Sequence, residues 1–469
     1  MGWAGALAAL VPLALTRAGV LAESDTFWQV RTGLEILSSG AIPAADPFSW
    51  TAAGRPWQVN SWAFDVLLAL AYRAGGLTAV SLAGAVLALG AFAAALLLAR
   101  RLGATALTAA LVFLPGSVFL VGWLSARPQL ADYVAVPVLL VLLGRILSGP
   151  GLEAVPVSGP RRREWAWAVA GIAVVQAVWV NLHGAAPLGV AIVALAGLAH
   201  GVDSRWRGGR PLWLVYAAST GAAALATLAN PYGPAVFGQL GRVRAESAGI
   251  REWGGLTLFD WPEVVMLAAA ALAVAVAWSG RSRWLAAVVG ALGLAGLLTL
   301  RLAPIAFMVA LPVLAAGLAR SEPRTWPRPR AYLAVAGVAI VLATLVVRGV
   351  AATTHLGRPN YPVAAIRALP PNCRLFNGYA LGGPVILLRP DIPVSLDSRN
   401  DVYGDAAIRS TLELEAGPTD TAARLQRLGV TCVLVRPDTG LAERLRTDPD
   451  WNELVRERGG VLFLRDSGT

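Results

Sequence analysis

Eleven apolar stretches dominate this chain, near residues 2–22, 77–99, 104–123, 129–147, 165–182, 185–202, 211–229, 263–280, 284–300, 302–319 and 331–350. A helix that crosses a bilayer needs ~20 mostly apolar residues. Inside lipid every backbone polar group must be satisfied within the protein, so stretches of this kind predict membrane-spanning helices. The charged share of 14% falls well below the about 25% of soluble globular chains, which excludes an ordinary soluble enzyme. Residues 62–75 are too short to cross and carry Asp65, so they predict a helix lying at the interface. Val20-Leu21-Ala22 resembles a signal-peptidase site. Nothing basic precedes the first apolar run, however, and Arg17 sits at its end, so a retained anchor is expected.

The net charge of +11, with no lysine, raises nucleic acid as a partner until the arginines are placed. One set of connections holds fifteen arginines, among them Arg100, Arg101, Arg145, Arg205 and Arg281, against Glu153, Glu164, Asp203 and Glu322. The opposite set is nearly balanced, with nine arginines and ten acids. Arginine-rich short loops stay in the cytoplasm. The excess charge is therefore an orientation signal, and no nucleic-acid partner is expected. The odd span count predicts a cytoplasmic N-terminus and an extracytoplasmic C-terminal tail. Residues 23–61 and 230–262 become outer segments, and the Gly/Pro/Arg-rich stretch 149–163 a cytoplasmic linker.

Beyond about residue 352 the apolar runs shorten. The expected division is a transmembrane domain over 1–351 and a small extracytoplasmic α/β domain over 352–469. Strands are predicted at 374–376, 392–396, 432–435 and 461–464, and helices at 361–369, 380–388, 404–415 and 418–428. Gly382-Gly383 alone is a weak phosphate-loop signal.

Candidate chemistry gathers in two places. Glu23, Asp25 and Asp46 lie in the first outer segment among Trp28, Trp50, Trp57 and Trp62. A carboxylate at the water–lipid boundary can deprotonate an acceptor hydroxyl delivered from outside; it can equally end a helix in solvent. Polar residues close to apolar runs form the second group: Arg127 and Asp132, Asn181 to Gly184 with His183, Asn230 to Gly233, and Arg301. Such residues are costly in a membrane and mark function, and arginine pairs bidentately with phosphate oxygens. They are expected to converge on one outer-leaflet cavity, although each alone also suits a helix end or an arginine reaching for the headgroups.

ESDTFWQVRTG (23–33), ADPFSWTAAGRPW (45–57), ARPQL (126–130), NLHG (181–184), NPYG (230–233) and the tail RLFNGYALGGPV with DSRNDVYG resemble a broad group of bacterial proteins of the GT-C superfamily of membrane glycosyltransferases. The resemblance implies a polytopic α-helical protein of about eleven spans with a small extracytoplasmic α/β domain, in the bacterial inner membrane. It implies transfer of a sugar from a polyprenyl-phosphate carrier to an acceptor outside the cytoplasm. The superfamily's essential acid in the first outer loop maps to Asp25, with Glu23 beside it. This chain has Glu-Ser-Asp where some families have adjacent acids, and Asn60-Ser61-Trp62 where the group often has His-Glu-Trp, so a titratable pair is missing there. In the expected inverting displacement Asp25 is the general base, oriented by Asp46 or Glu23, while Arg127, Arg301 and His183 stabilise the phosphate leaving group. The scheme requires no cofactor; some members use a divalent ion, which leaves Asp25 with a second acid as a candidate metal site. A non-catalytic lipid-carrier-binding or scaffold protein and a transporter or flippase are the alternatives. No inverted repeat of the kind transporters show is visible.

Within 395–405, Asp397, Arg399, Asn400, Asp401 and Tyr403 crowd one loop after a predicted strand. Such a loop either binds an acceptor or other ligand or is a turn bonded to its own backbone. Cys373 and Cys432 both fall in the external domain, where a disulfide is compatible with an oxidising compartment.

Overall fold

The computed structural model describes residues 2–147, 151–152, 162–209, 211–246, 250–321 and 328–466. Most of the predicted linker 149–163 lies outside them.

Every one of the eleven apolar stretches contains helix. Among the described residues, seven helices are long and apolar enough to cross a membrane: Trp62–Arg101, Ala106–Trp123, Gln129–Leu147, Arg163–Leu182, Pro187–Trp206, Trp261–Ser279 and Leu300–Ser321. Trp3–Arg17, Arg283–Leu298 and Ala339–Thr353 are shorter apolar segments, and Trp213–Thr227 is shorter still than a full span at 15 residues. The protein is an α-helical multi-pass membrane protein. Its first segment is two short helices, Trp3–Ala8 and Val11–Arg17, the second opening with Pro12 in its first turn. Proline fits there because it has no N–H to leave unbonded.

The helix Trp62–Arg101 is broken at Gly75 and Gly76, where the interfacial stretch 62–75 was expected to end. Gly76 has φ 61° and ψ −152°, a conformation open essentially to glycine alone.

The chain divides into two compact units: Met1–Gly19, Leu82–Leu240 and Arg251–Thr354 form one, and Val20–Ser81, Gly241–Ile250 and His355–Thr469 the other. The first outer segment thus folds with the C-terminal region, unlike the division at 351/352 expected from composition. The reason is visible within the second unit, where residues 46–57 are bonded to the C-terminal segment. Val394 N–H donates to Phe48 O at 3.1 Å, Trp50 N–H donates to Val394 O at 3.0 Å, and the Trp50 indole donates to Leu375 O at 2.9 Å.

Within the first unit, burial separates central from peripheral helices. The apolar window of Gln129–Leu147 is 78% buried, whereas that of Trp261–Ser279 is 28% buried. Helices apolar on every side can therefore pack either against protein or against lipid tails. Phe113, Leu114, Phe307, Met308 and Leu311 belong to the continuous core of this bundle.

In the second unit four strands, β1 (Leu375–Asn377), β2 (Cys432–Val435), β3 (Trp451–Glu457) and β4 (Gly460–Arg465), form a sheet in the order β1-β2-β4-β3. β1 runs parallel to β2, and the other pairs are antiparallel. Leu375, Cys432, Leu434 and Leu462 face a core with Val385, Ile386 and Val394. Phe376, Val433, Val435, Val461 and Phe463 face another with Leu425, Leu441 and Leu445. With both faces covered, β2 reads Cys-Val-Leu-Val without polar alternation. Cys373 and Cys432 form a disulfide with Cα atoms 5.9 Å apart.

The segment 392–396, expected as a strand, makes only an isolated bridge from Val394 to Ser49. Pro393 has no N–H to give a ladder. β3 was not anticipated because it is a largely exposed edge strand with little apolar pattern.

Candidate functional site

Helix Ser24–Ser39 starts just after Glu23, which occupies the N-cap position without a side-chain capping bond. Asp25 is in its first turn and half-buried. Its Oδ1 accepts a short hydrogen bond from the Ser398 hydroxyl and a longer one, 3.4 Å, from the Trp28 indole. That indole also donates to Ser398 Oγ at 3.1 Å. Two donors on one oxygen fix the plane of the carboxylate, which is what a positioned base needs.

Close packing brings Ser398 to this helix. A Cβ on Gly383 would stand 2.1 Å from Ser24 O, and one on Gly382 would stand 2.2 Å from Leu396 O. Gly383 N–H donates to Ser24 Oγ at 3.2 Å. The Gly382-Gly383 pair thus serves close backbone approach.

Behind Ser398 lies a buried ionic network. Arg399 pairs with Asp397 at 2.6 Å and with Asp46 at 2.7 Å, and all three side chains are fully buried. The Tyr403 hydroxyl donates to Asp397 Oδ2 at 2.7 Å. The guanidinium also lies 4.9 Å from the Phe48 ring centroid and 4.6 Å from that of Trp57, a cation–π arrangement. Burial alone would lower the Arg399 pKa, but Asp397, with Tyr403 and Asp46, raises it above the ordinary arginine value. Burial, then the Asp397 charge, pushes the Tyr403 phenol well up.

This network bears on two readings of the sequence. Asp46, expected to orient the base, is taken up by Arg399, by the backbone N–H groups of Phe48 and Ser49, and by the Ser49 hydroxyl. Asp397, Arg399 and Tyr403 are buried props, and Ser398 between them makes the contact with Asp25. Asn400 accepts from the Tyr379 hydroxyl at 2.8 Å, and Asp401 is half-buried. Asp65, read from sequence only as a polar mark on an interfacial helix, is buried and bonded to Ser61 at 3.0 Å.

The other candidates lie in the first unit. Arg127 and Arg301 meet on one carboxylate, Glu252: Arg127 reaches Oε1 at 3.2 Å and Arg301 reaches Oε2 at 3.6 Å. Arg301 stacks over Trp253 at 4.9 Å. Burial raises the Glu252 pKa, but Arg127 and Arg301 outweigh it and hold the carboxyl below its usual range. His183 Nδ1 lies 2.7 Å from Asp132 Oδ1, which also accepts from the Trp179 indole at 2.7 Å. Asn181 donates to Ala229 O, the residue before NPYG, at 2.7 Å, while Asn230 closes its own turn through Tyr232 N–H at 2.8 Å.

Glu252 was missed from sequence. Its only signal is an acid flanked by Arg251 and Trp253 in an outer segment. Among the described residues no group of three or more His, Cys, Asp or Glu side chains is arranged to hold a metal ion.

Over 98% of this chain and 97% of the other, it superposes on ArnT from Cupriavidus metallidurans bound to undecaprenyl phosphate, with a TM-score of 0.57 and 16% identity. The chain has the GT-C fold. The archaeal oligosaccharyltransferase AglB from Archaeoglobus fulgidus, in complex with an inhibitory peptide and a dolichol-phosphate, matches with a TM-score of 0.60 and 12% identity. That match covers 92% of this chain and 69% of AglB. No protein-family model matches the sequence, and no curated protein does either.

Proposed function

We propose that this protein is a bacterial inner-membrane glycosyltransferase that moves a sugar from a polyprenyl-phosphate carrier to an extracytoplasmic acceptor. The observation that carries this reading is the match over nearly the whole of both chains to ArnT, whose structure is bound to undecaprenyl phosphate. The GT-C fold by itself supports a polytopic enzyme; the donor class comes from that ligand.

In the proposed reaction Asp25 takes the acceptor proton while the acceptor oxygen attacks the anomeric carbon from the face opposite the phosphate. The bond from that carbon to the phosphate oxygen breaks, and the carrier leaves as polyprenyl phosphate. The product is inverted at the anomeric carbon. Ser398 and Trp28 hold the Asp25 carboxylate in one orientation, and Glu23 stands beside it. Arg127 and Arg301, with His183, stabilise charge developing on the phosphate. The arginine distribution supports a cytoplasmic N-terminus and an extracytoplasmic C-terminal tail.

Membranes containing the protein, incubated with radiolabelled polyprenyl-phosphate sugars, should yield labelled extracytoplasmic product. Mass spectrometry of co-purified lipid should find a polyprenyl phosphate. Carrier bound without transfer to any acceptor would favour a non-catalytic carrier-binding protein, and absence of both would refute the reading.

A further inference from the structure

We propose that Glu252 is a built-in substitute for the carrier phosphate: its carboxylate occupies the Arg127–Arg301 anion site and exchanges with polyprenyl phosphate during turnover. This rests on the reading of those arginines as a donor-phosphate site.

The geometry is that of an exchangeable anion. Each Glu252 oxygen faces a different arginine, at 3.2 and 3.6 Å, whereas strong charge-assisted N–H···O bonds run about 2.7–2.9 Å. The carboxylate spans both guanidiniums without closing a tight fork on either. Glu252 is also the most exposed of the three side chains, at 35% against 12% for Arg127 and 21% for Arg301, so it can leave while the arginines stay. Arg17 adds further positive potential at the Glu252 carboxylate. The element that carries Glu252 is independently fastened: Arg251 pairs with Asp260 and donates to Gly255 O at 2.9 Å. Glu252 can therefore swing out without unfolding its turn.

The charge balance gives the exchange a direction. The sugar-linked carrier is a phosphodiester with one negative charge. After transfer the carrier is a monoester, which carries about −1.5 to −2 at neutral pH. Two arginines would hold that product more tightly than the substrate, and a tethered carboxylate that returns to them speeds its release. If Glu252 fills the site about nine-tenths of the time, apparent carrier affinity falls about tenfold.

The test uses the full-length protein in nanodiscs, titrated with polyprenyl phosphate. Glu252→Gln should bind it about tenfold tighter than wild type, and Glu252→Asp, one methylene short of both arginines, several-fold tighter. Turnover should show lower KM together with lower kcat, because product leaves slowly. Parallel titration with inorganic phosphate identifies the source: tightening confined to the polyprenyl form makes the occupant a lipid headgroup, and tightening with both makes it any phosphate. Affinity in folded Glu252→Gln and Glu252→Asp proteins that equals or falls below that of wild type overturns the exchange role and leaves the donor-site reading intact. No polyprenyl phosphate binding in any of the proteins overturns both.

Discussion

The Ser398 hydroxyl donates to Oδ1 of Asp25 across 373 positions of sequence. The candidate base and its positioning group thus come from opposite ends of the chain and meet inside one compact unit. Asp25→Asn should keep the fold and lower transfer by about 10²–10⁴-fold, the range for a lost general base. Ser398→Ala should lower it less, since the base itself remains. A folded, fully active Asp25→Asn protein would remove Asp25 from the mechanism.

Arg127→Ala should weaken binding of the lipid-linked donor by at least about tenfold, because truncating one partner of a partly buried charge cluster commonly costs more than that. Donor affinity measured in detergent or nanodiscs checks this. An unchanged value would make Arg127 a structural residue.

Replacing Arg399 by Met leaves Asp46 and Asp397 buried without their cation. Breaking a buried ion pair from one side costs about 3–5 kcal/mol. Chemical denaturation should show a loss of that order. Tyr403→Phe, which removes one hydrogen bond to Asp397, should cost about 1–3 kcal/mol.

Gly383→Ala would force a methyl group against the Ser24 carbonyl, so the helix Ser24–Ser39 or its neighbour must shift. Overpacking of this kind costs about 1–3 kcal/mol. The same shift should pull Ser398 off Asp25, and activity should therefore fall together with the melting temperature.

Glu415 accepts from Tyr379 N–H at 2.8 Å, and burial raises its pKa above 4.5. The folded state therefore holds this proton more tightly than the unfolded chain. The stabilising contribution is complete below the unfolded value and disappears as pH rises through the folded one. Relative to Glu415→Gln, wild-type stability should decline from about pH 4.5 upward and then level off. Parallel curves for the two proteins across that window would contradict the shift.

The helical membrane architecture was legible because spans are written locally. A run of about twenty apolar residues is a sufficient instruction in lipid, and all eleven stretches contain helix. The break near residue 75 was also local, since two adjacent glycines and the short amphipathic stretch before them mark it. Asp25 and Arg127 stood out for a related reason: a charged side chain beside an apolar run needs an explanation.

What the sequence could not determine was partnership. Asp46 and Asp25 look alike in the first outer segment, yet Arg399, more than three hundred residues away, takes one and Ser398 orients the other. Glu252 carries no local mark of its role; it becomes informative only where Arg127 and Arg301 meet on it. The strand expected at 392–396 failed because Val394 found its backbone partners in residues 48–50 instead of in the sheet. Hydrophobic runs act within their own neighbourhood, whereas ion pairs and backbone bridges depend on which distant segments the folded chain brings together. Sequence alone therefore determined that this protein is a bundle of spans with a small α/β region. Only the tertiary structure decided which acid is oriented as a base, which is buried as a prop, and which occupies the arginine pair.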